Sequence, residues 1–159
     1  MDVLLDLLNS RPLVDGKEQD ALGDPAGGLR WARERGGEGS LAELALLRET
    51  RDVLQDVVHG RSSPLALGPL LEGVHQTPEM TSDGLRWQLR TAPHTRLAAE
   101  VVLAWADTEE RLPGRLRPCA NEGCRLFLLD RSRANRARWC SMAVCGNREK
   151  ARRHYERTR

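Results

Sequence analysis

The sequence predicts a mainly α-helical body with one small β-hairpin, followed by a small C-terminal module held by four cysteines. Three observations predict this class. Apolar residues recur at helical spacing over long stretches, the D-G pair at Asp83 and Gly84 is followed by alternating residues, and the cysteines form two close pairs. Of 159 residues, 40% are hydrophobic and only six are aromatic, so the core must be built mainly from Leu, Val and Ala. We divide the chain into a body, residues 1–112, and a module, residues 113–159.

Two short helices open the body. The first is predicted over residues 2–9, with one apolar side formed by Val3, Leu4, Leu7 and Leu8. The second begins after Asp24, whose side chain can cap it, with Pro25 at its first position. Two internal glycines weaken this second helix.

The clearest element is a helix over residues 41–59. Ser40 and Glu43 are spaced as a capping box, and Gly60 closes the helix. The apolar positions at helical spacing are Leu44, Leu47, Leu54, Val57 and Val58. A further helix is predicted to begin at Pro64 and to run to about residue 76, kinked or broken near Gly68 and Pro69.

A β-hairpin and a long helix complete the body. Asp83 and Gly84 supply the turn of the hairpin, and residues 85–90 then alternate between apolar and polar. Residues 93–112 return to helical spacing, with Leu97, Val101 and Trp105 at steps of four. Pro113 and Gly114 end this helix.

The charge is divided unequally between the two parts. Residues 1–110 carry 11 basic and 19 acidic residues, a net charge of −8, whereas residues 111–159 carry 14 and 4, a net charge of +10. A basic part on an acidic body indicates a polyanionic partner, most often nucleic acid, or docking of the two parts on each other. The N-terminus lacks the positive start of a secretory signal, and no apolar run could span a bilayer. We therefore expect a cytoplasmic protein with no membrane partner.

The four cysteines form two C-x4-C pairs separated by fifteen residues: Cys119 with Cys124, and Cys140 with Cys145. Each pair supplies two thiolates from one tight turn, as a tetrahedral metal site requires. Four sulfur ligands in a reduced compartment favour zinc. The alternatives are an iron–sulfur cluster, two disulfides in a secreted chain, or unrelated buried cysteines.

The residues around the ligands predict a small fold. Segments "RLFLLD" and "RARWC" are expected to form two short strands joined by the turn "RSRAN", and the residues after Cys145 favour a helix. A knuckle, a hairpin and a helix that carries the last ligand at its start follow the order of a treble-clef module. The segment from Cys124 onward, with "RWCSM" and Cys145-Gly146-Asn147-Arg148, resembles the CGNR zinc finger over about residues 117–157.

The body resembles the helical domain that accompanies this finger in bacteria. The elements "LLNSRP" and "SLAELALLRETRDVL" carry this looser resemblance, to a family described as putative stress-induced transcription regulators. The chain begins close to "LLNSRP", so we expect an opening segment of some relatives to be missing or reduced. The resemblance implies a zinc-binding regulator that contacts DNA.

The arginines of the module are the candidate DNA contacts, since a guanidinium can clamp a phosphate or read the edge of guanine. The candidates lie in the hairpin turn and on the last helix: Arg131, Arg133, Arg136, Arg138, Arg148, Lys150, Arg152 and Arg153. On the helix, Glu149 and Glu156 share a face with two of these arginines, which partly neutralises it. The competing interpretation is a solvated basic helix that docks on the body or on a second subunit.

The residues after the last ligand have separate expected roles. Gly146 lets the backbone turn past the thiolate, Asn147 caps the final helix, and Arg148 reaches a loop carbonyl or a phosphate. Trp139 shields the metal from water. No histidine pairs with a cysteine at ligand spacing, and no catalytic motif is found, so we do not expect an enzyme.

Two functions follow from these patterns. The first is a bacterial transcription regulator, in which the body senses a small-molecule signal or forms a homodimer and the zinc module contacts DNA. The second is a helical protein that binds a small molecule or a protein, in which zinc is only a structural clip. A pocket lined by Trp and Arg of the body would favour the second function.

Overall fold

The computed structural model describes residues 3–14 and 16–157. About half of these residues are helical, and three two-stranded antiparallel sheets accompany the helices. The helices are α1 (Val3–Leu8), α2 (Pro25–Glu34), α3 (Leu41–Val58), α4 (Pro93–Arg111) and α5 (Asn147–Arg157). The strands are β1 (Leu13–Val14), β2 (Lys17–Glu18), β3 (His75–Thr81), β4 (Gly84–Arg90), β5 (Leu116–Pro118) and β6 (Phe127–Leu129).

The core lies between α3, α4 and α1. It is built almost entirely of leucine, valine and alanine, as the scarcity of aromatic residues predicts. The predicted helix over residues 41–59 is confirmed, with His59 at its C-terminal cap. Ser40 accepts the backbone N–H of Glu43 at 3.1 Å. The buried Glu43 carboxylate in turn accepts the backbone N–H groups of Gly39 and Glu38, at 2.7 and 3.2 Å, and so orders the loop before α3.

Helix α2 starts as predicted and uses its glycines for close packing. Asp24 accepts the backbone N–H of Gly27 at 2.8 Å, and Pro25 is the first helical residue. A Cβ atom on Gly28 would lie 2.5 Å from a methyl carbon of Leu44. Gly28 therefore sets how closely α2 approaches α3, although glycine is a poor helix former.

The segment after Gly60 differs from the prediction. Residues Pro64–Leu71 form a 3₁₀ helix instead of an α-helix, and His75 already belongs to β3. Pro69 lies inside this segment and lacks the N–H that a continuous α-helix would need. The predicted hairpin is confirmed, but its turn lies one residue earlier than predicted: β3 and β4 pair with Thr81 opposite Gly84, so Ser82 and Asp83 are the two loop residues and Gly84 begins β4.

The module contributes strands to the body's core. Strands β5 and β6 pair with Leu116 opposite Leu129, and Leu116 and Phe127 are buried in the same core as the helices. The Asn9 side chain accepts the backbone N–H of Phe127 at 2.7 Å and donates to its carbonyl at 3.1 Å. The module is therefore packed on α1 through side chains and backbone.

The predicted strand over residues 136–140 is wrong. The segment "RLFLLD" does contain β6, but β6 pairs with β5, which precedes the first cysteine. Within the part of the chain that the structure describes, residues 131–140 contain no strand. The reason is the buried Asp130, whose carboxylate accepts the backbone N–H groups of Ser132 and Ala137, each at 2.8 Å, and so folds this segment around itself.

The last helix, α5, follows the final cysteine as predicted, and none of its described residues is buried. Among the ion pairs between described residues, none joins α5 to the body. No helix in the described ranges is both long and apolar enough to cross a membrane.

Candidate metal centre

The four cysteine sulfurs meet at one point. All four Sγ atoms lie within 4.8 Å of one another, and Cys140 Sγ is 3.7 Å from the Sγ atoms of both Cys124 and Cys145. Four sulfurs held about 2.3 Å from one ion at tetrahedral angles are separated by about 3.8 Å, so the spacing fits a single metal ion. A disulfide would need about 2.05 Å between sulfurs. In an iron–sulfur cluster the four cysteines are shared among two or more irons, which would hold the sulfurs on different irons farther apart.

The first pair of ligands is positioned by the β5–β6 hairpin. Cys119 follows β5 directly, and its backbone N–H donates to the Leu126 carbonyl at 2.8 Å. Between the two cysteines, the Asn121 side chain accepts the Gly123 N–H at 3.1 Å, and the Asn121 carbonyl accepts the Cys124 N–H at 2.8 Å. This tight turn brings both sulfurs to the same side of the hairpin.

N–H groups surround the sulfurs. The Asn121 amide donates to Cys145 Sγ at 3.4 Å, the Cys140 N–H to Cys119 Sγ at 3.4 Å, and the Leu126 N–H to Cys124 Sγ at 3.5 Å. Such bonds favour thiolates and orient metal ligands. Asn121 is therefore a candidate site residue that the cysteine spacing alone does not indicate. An Asn two positions after the first ligand is, however, a turn signal.

The surroundings of the thiols shift their pKa values in different directions. Burial raises the pKa of Cys124 to about 11 and also raises the pKa of Cys140. Burial acts in the same direction on Cys145, but hydrogen bonds from Asn121 and the other cysteines outweigh it and lower its pKa. The site thus disfavours the deprotonation of all four thiols unless a bound cation offsets the negative charge. A metal ion that binds here must therefore release protons.

The second pair of ligands leads into α5 through a tight turn. Ser141 caps the turn Met142–Gly146 by accepting the Val144 N–H at 3.4 Å. A Cβ atom on Gly146 would lie 2.9 Å from the thioether of Met142 and 3.3 Å from the Trp139 ring, so Gly146 leaves room beside the ligand.

Two expectations for the residues next to the last ligand are corrected. Asn147 does not cap α5, because its side-chain amide donates backward to the Ala143 carbonyl at 3.2 Å. Arg148 is exposed, and the structure records no contact between its guanidinium and a loop carbonyl among the described residues. The second alternative for Arg148, contact with a phosphate, stays a prediction.

Asp130 organises the segment between the two pairs of ligands. Besides the two backbone N–H groups, its carboxylate accepts a hydrogen bond from Arg117 at 3.0 Å. The Ser132 hydroxyl contributes most to lowering its pKa, and the Ala137 and Ser132 N–H groups and the charge of Arg117 add to this, which brings the pKa to about 2. The sequence gives no indication of this role, because an acid after a strand is a common surface residue.

The eight predicted DNA contacts are all exposed. They lie in the segment folded around Asp130 and on α5: Arg131, Arg133, Arg136, Arg138, Arg148, Lys150, Arg152 and Arg153. Glu149 accepts hydrogen bonds from Arg152, at 3.0 Å, and from Arg153, at 2.9 Å, which confirms the expected neutralisation on α5. The Arg138 guanidinium lies 5.2 Å from the centroid of the Trp139 ring.

Two models of known protein families match the chain. The family model described as "Putative stress-induced transcription regulator" (ABATE) matches residues 1–124, most of the chain. The chain belongs to this ABATE family. The model of the CGNR zinc finger matches residues 115–158 and includes all four cysteines. Both resemblances predicted from the sequence are confirmed. Comparison with curated proteins finds no match.

The two family models overlap where the structure joins the two parts. Residues 115–124 belong to both models and contain β5 and the first pair of cysteines. This ABATE protein thus combines a regulator-type body with a zinc-finger-type module, and neither family is an enzyme family by its description. The hairpin that carries the first two ligands also closes the body's core.

Proposed function

We propose that this ABATE protein is a zinc-binding transcription regulator whose C-terminal module contacts DNA through its arginines. In this proposal Cys119, Cys124, Cys140 and Cys145 hold one Zn²⁺ ion in a treble-clef-like module. The body, residues 1–112, senses a signal or forms a dimer, and residues 113–159 contact DNA. The family assignments and the sulfur cluster support the metal and the regulator class.

The observation that carries the DNA contact is a set of exposed cations with no recorded partner among the residues that the structure describes. Among the described residues, no ion pair, hydrogen bond or ring contact is recorded for the side chains of Arg133, Arg136, Arg148 and Lys150. A cation that is free of carboxylates can neutralise a phosphate without first breaking an ion pair. Two of these cations flank the metal ligands closely, since Arg136 precedes Cys140 and Arg148 follows Cys145.

A titration across a salt series tests the proposal. Fluorescence anisotropy of a labelled random-sequence duplex is measured against zinc-loaded protein, with the metal content of each sample checked. For wild type we expect affinity to fall steeply with salt, and we expect binding to disappear when zinc is chelated. Arg136→Ala with Arg148→Ala should weaken binding and reduce the slope of log K against log salt by about 2.

The matched control is Arg96→Ala. Arg96 is an exposed arginine of the body that pairs with Glu100 at 2.9 Å, so its removal changes the net charge without touching the module. The control should bind DNA like wild type. If the double variant keeps its zinc and binds as tightly and with the same slope as wild type, the proposed contact is wrong.

A cleft in the body supports effector binding as a second function. The cleft has a volume of about 610 Å³ and lies between α1, the segment after β2 and α2. It is lined by Trp31 and Arg35, with the Arg35 guanidinium 4.2 Å from the centroid of the Trp31 ring and 3.0 Å from the Asp6 carboxylate. Its size is typical of small-molecule sites. Asn9, which holds Phe127 of the module, also lines it.

Thermal unfolding with a panel of small polar and aromatic compounds tests this second function. A compound that occupies the cleft should raise the Tm of wild type and not that of Gln19→Trp, in which a large side chain fills the cleft. A compound that stabilises both proteins equally binds elsewhere. A panel that stabilises neither protein counts against effector binding in this cleft.

A further inference from the structure

The β3–β4 hairpin has one apolar face and one polar face. Residues opposite each other in an antiparallel pair point to the same side, and successive pairs alternate. The apolar face consists of three pairs: Gln76 with Leu89, Pro78 with Trp87, and Met80 with Leu85. The opposite face carries His75, Thr77, Glu79, Arg86, Gln88 and Arg90. Every residue of the apolar face except Gln76 is hydrophobic, and none carries a charge.

The structure leaves most of this apolar face in solvent, and Leu89 at its end is half-buried. Met80 is 76% exposed, Trp87 60% and Leu85 56%, whereas the large apolar residues of α1 to α4, apart from Leu41, are buried or half-buried. Within the described residues, no helix packs extensively against either strand. A two-stranded hairpin is only marginally stable alone in water, and a contiguous exposed apolar patch marks an interaction site.

We infer that this face is a contact between two copies of the chain, in which the apolar face of one hairpin covers that of its partner. A two-fold contact brings the same patch onto itself, so the patch must tolerate its own copy. The uncharged face meets this condition, because stacking it on itself places no like charges together. A two-fold axis through the central Pro78–Trp87 pair would cover Met80 and Leu85 on both copies.

Stacking of faces is favoured over pairing of strand edges on the β3 side. Pro78 lies in the middle of β3 and has no N–H to donate to an added strand. Pro78 instead adds its ring to the apolar face opposite Trp87. The sequence thus weakens one edge of the hairpin and enlarges its face.

The available area predicts a weak dimer. A large aromatic side chain covers about 150–250 Å², so the three exposed residues and their neighbours offer roughly 400 Å² on each copy. The total of roughly 800 Å² is below the roughly 1,200 Å² of stable interfaces. Association should therefore be weak and should depend on the protein concentration. This inference concerns the hairpin alone and does not depend on DNA binding.

Sedimentation velocity under reducing conditions, from low to high micromolar protein, tests the inference. For wild type we expect the sedimentation coefficient to rise from the monomer to the dimer value. Met80→Glu should stay monomeric over the same range, because it puts two like charges into the contact. The matched control is His75→Glu, which places the same charge on the opposite face of the same strand, beside Arg90, and should dimerise like wild type.

A second readout locates the contact. In protein labelled with 5-fluorotryptophan, the fluorine resonance that Trp87→Phe removes belongs to Trp87. This resonance should shift with concentration, while that of the buried Trp31 should not. A wild type that stays monomeric throughout overturns the inference. So does a dimer that Met80→Glu forms as readily as wild type, or a dimer that His75→Glu weakens equally.

Discussion

The side-chain amide of Asn9 makes two hydrogen bonds to the backbone of Phe127, 118 residues further along the chain. The amide thereby occupies the place that a neighbouring strand would take beside β6. Because Phe127 lies three residues after Cys124, this pair of bonds connects α1 to the cysteine cluster. The "LLNSRP" element thus includes the residue that holds the module in place.

Asn9→Ala should loosen this connection. Both hydrogen bonds are lost, and we expect the free energy of unfolding to fall by about 1–2 kcal/mol. Amide hydrogen exchange gives the local readout: the Phe127 N–H should exchange faster, while the Cys119 N–H, bonded to Leu126, keeps its protection. Unchanged exchange at Phe127 would show that the Asn9 contact contributes nothing in solution.

We expect the four cysteines to bind a metal ion together, in a ratio of one ion per chain. Cobalt added to the reduced apoprotein should give the intense visible bands of a tetrahedral tetrathiolate site and should release protons. Cys140→Ser should lower zinc affinity by more than about 100-fold, whereas Ser141→Ala, next to it, should keep the ion. Native mass spectrometry counts the metal. Two ions per chain, or iron with inorganic sulfide, would contradict a single-ion site.

Gly28→Ala should force α2 away from α3. The added Cβ atom would meet Leu44 at 2.5 Å, and we expect a loss of about 1–3 kcal/mol in chemical denaturation. Gly68→Ala is the control, because no atom lies within 4 Å of the Cβ position there and its backbone needs no glycine conformation. That control should be neutral or slightly stabilising. Equal stability of both variants would mean that α2 can move away from α3 without lowering the free energy of unfolding.

Asp130→Asn should destabilise the segment between the cysteine pairs in a pH-dependent way. The pKa of Asp130 in the folded protein, about 2, lies below its ordinary value of 3.8, so the carboxylate's contribution is complete above 3.8 and is lost as the pH falls toward 2. The difference in unfolding free energy between wild type and Asp130→Asn should thus be constant from about pH 7 to about pH 5. A difference that already declines over this interval would contradict the assignment.

Glu149→Gln should strengthen DNA binding, provided that the proposed contact is correct. Glu149 holds both Arg152 and Arg153, so its neutralisation frees Arg153, leaves Arg152 paired only with Glu156, and removes a negative charge near the phosphates. We expect affinity for the random-sequence duplex to rise by about three- to tenfold at low salt. Glu100→Gln, which frees one arginine on the body, is the control. Weaker or unchanged binding would place α5 away from the DNA.

Local signals in the sequence predict most of the helices and the clustering of the four cysteines. Ser40 and Asp24 cap helices where expected, and the two short C-x4-C spacings predict the cluster of four sulfurs. Both kinds of feature depend on residues that are close together in the sequence. The pairing of β6 depends on distant residues. "RARWC" has the pattern of a strand, but the buried Asp130 binds the Ala137 N–H and leaves β5 as the partner of β6.

Contacts across the fold are what the sequence pattern does not reveal. The roles of Asn121 and Asn9 rest on atoms 24 and 118 residues away, at Cys145 and Phe127. The alternation in β4 predicts a strand but not that Trp87 lies in solvent, because alternation specifies two faces without saying what covers them.

The burial of Leu116 and Phe127 among the helices limits how this chain can be recombined. A zinc-finger fragment that begins at Pro113 would contain two side chains of the body's core, Leu116 and Phe127. The remaining body would then expose the cavity that these side chains fill. Grafting a foreign finger would succeed only if it brought a strand pair with a large apolar residue at the position of Phe127. Protein engineering should therefore exchange the module together with the core positions that Leu116 and Phe127 fill.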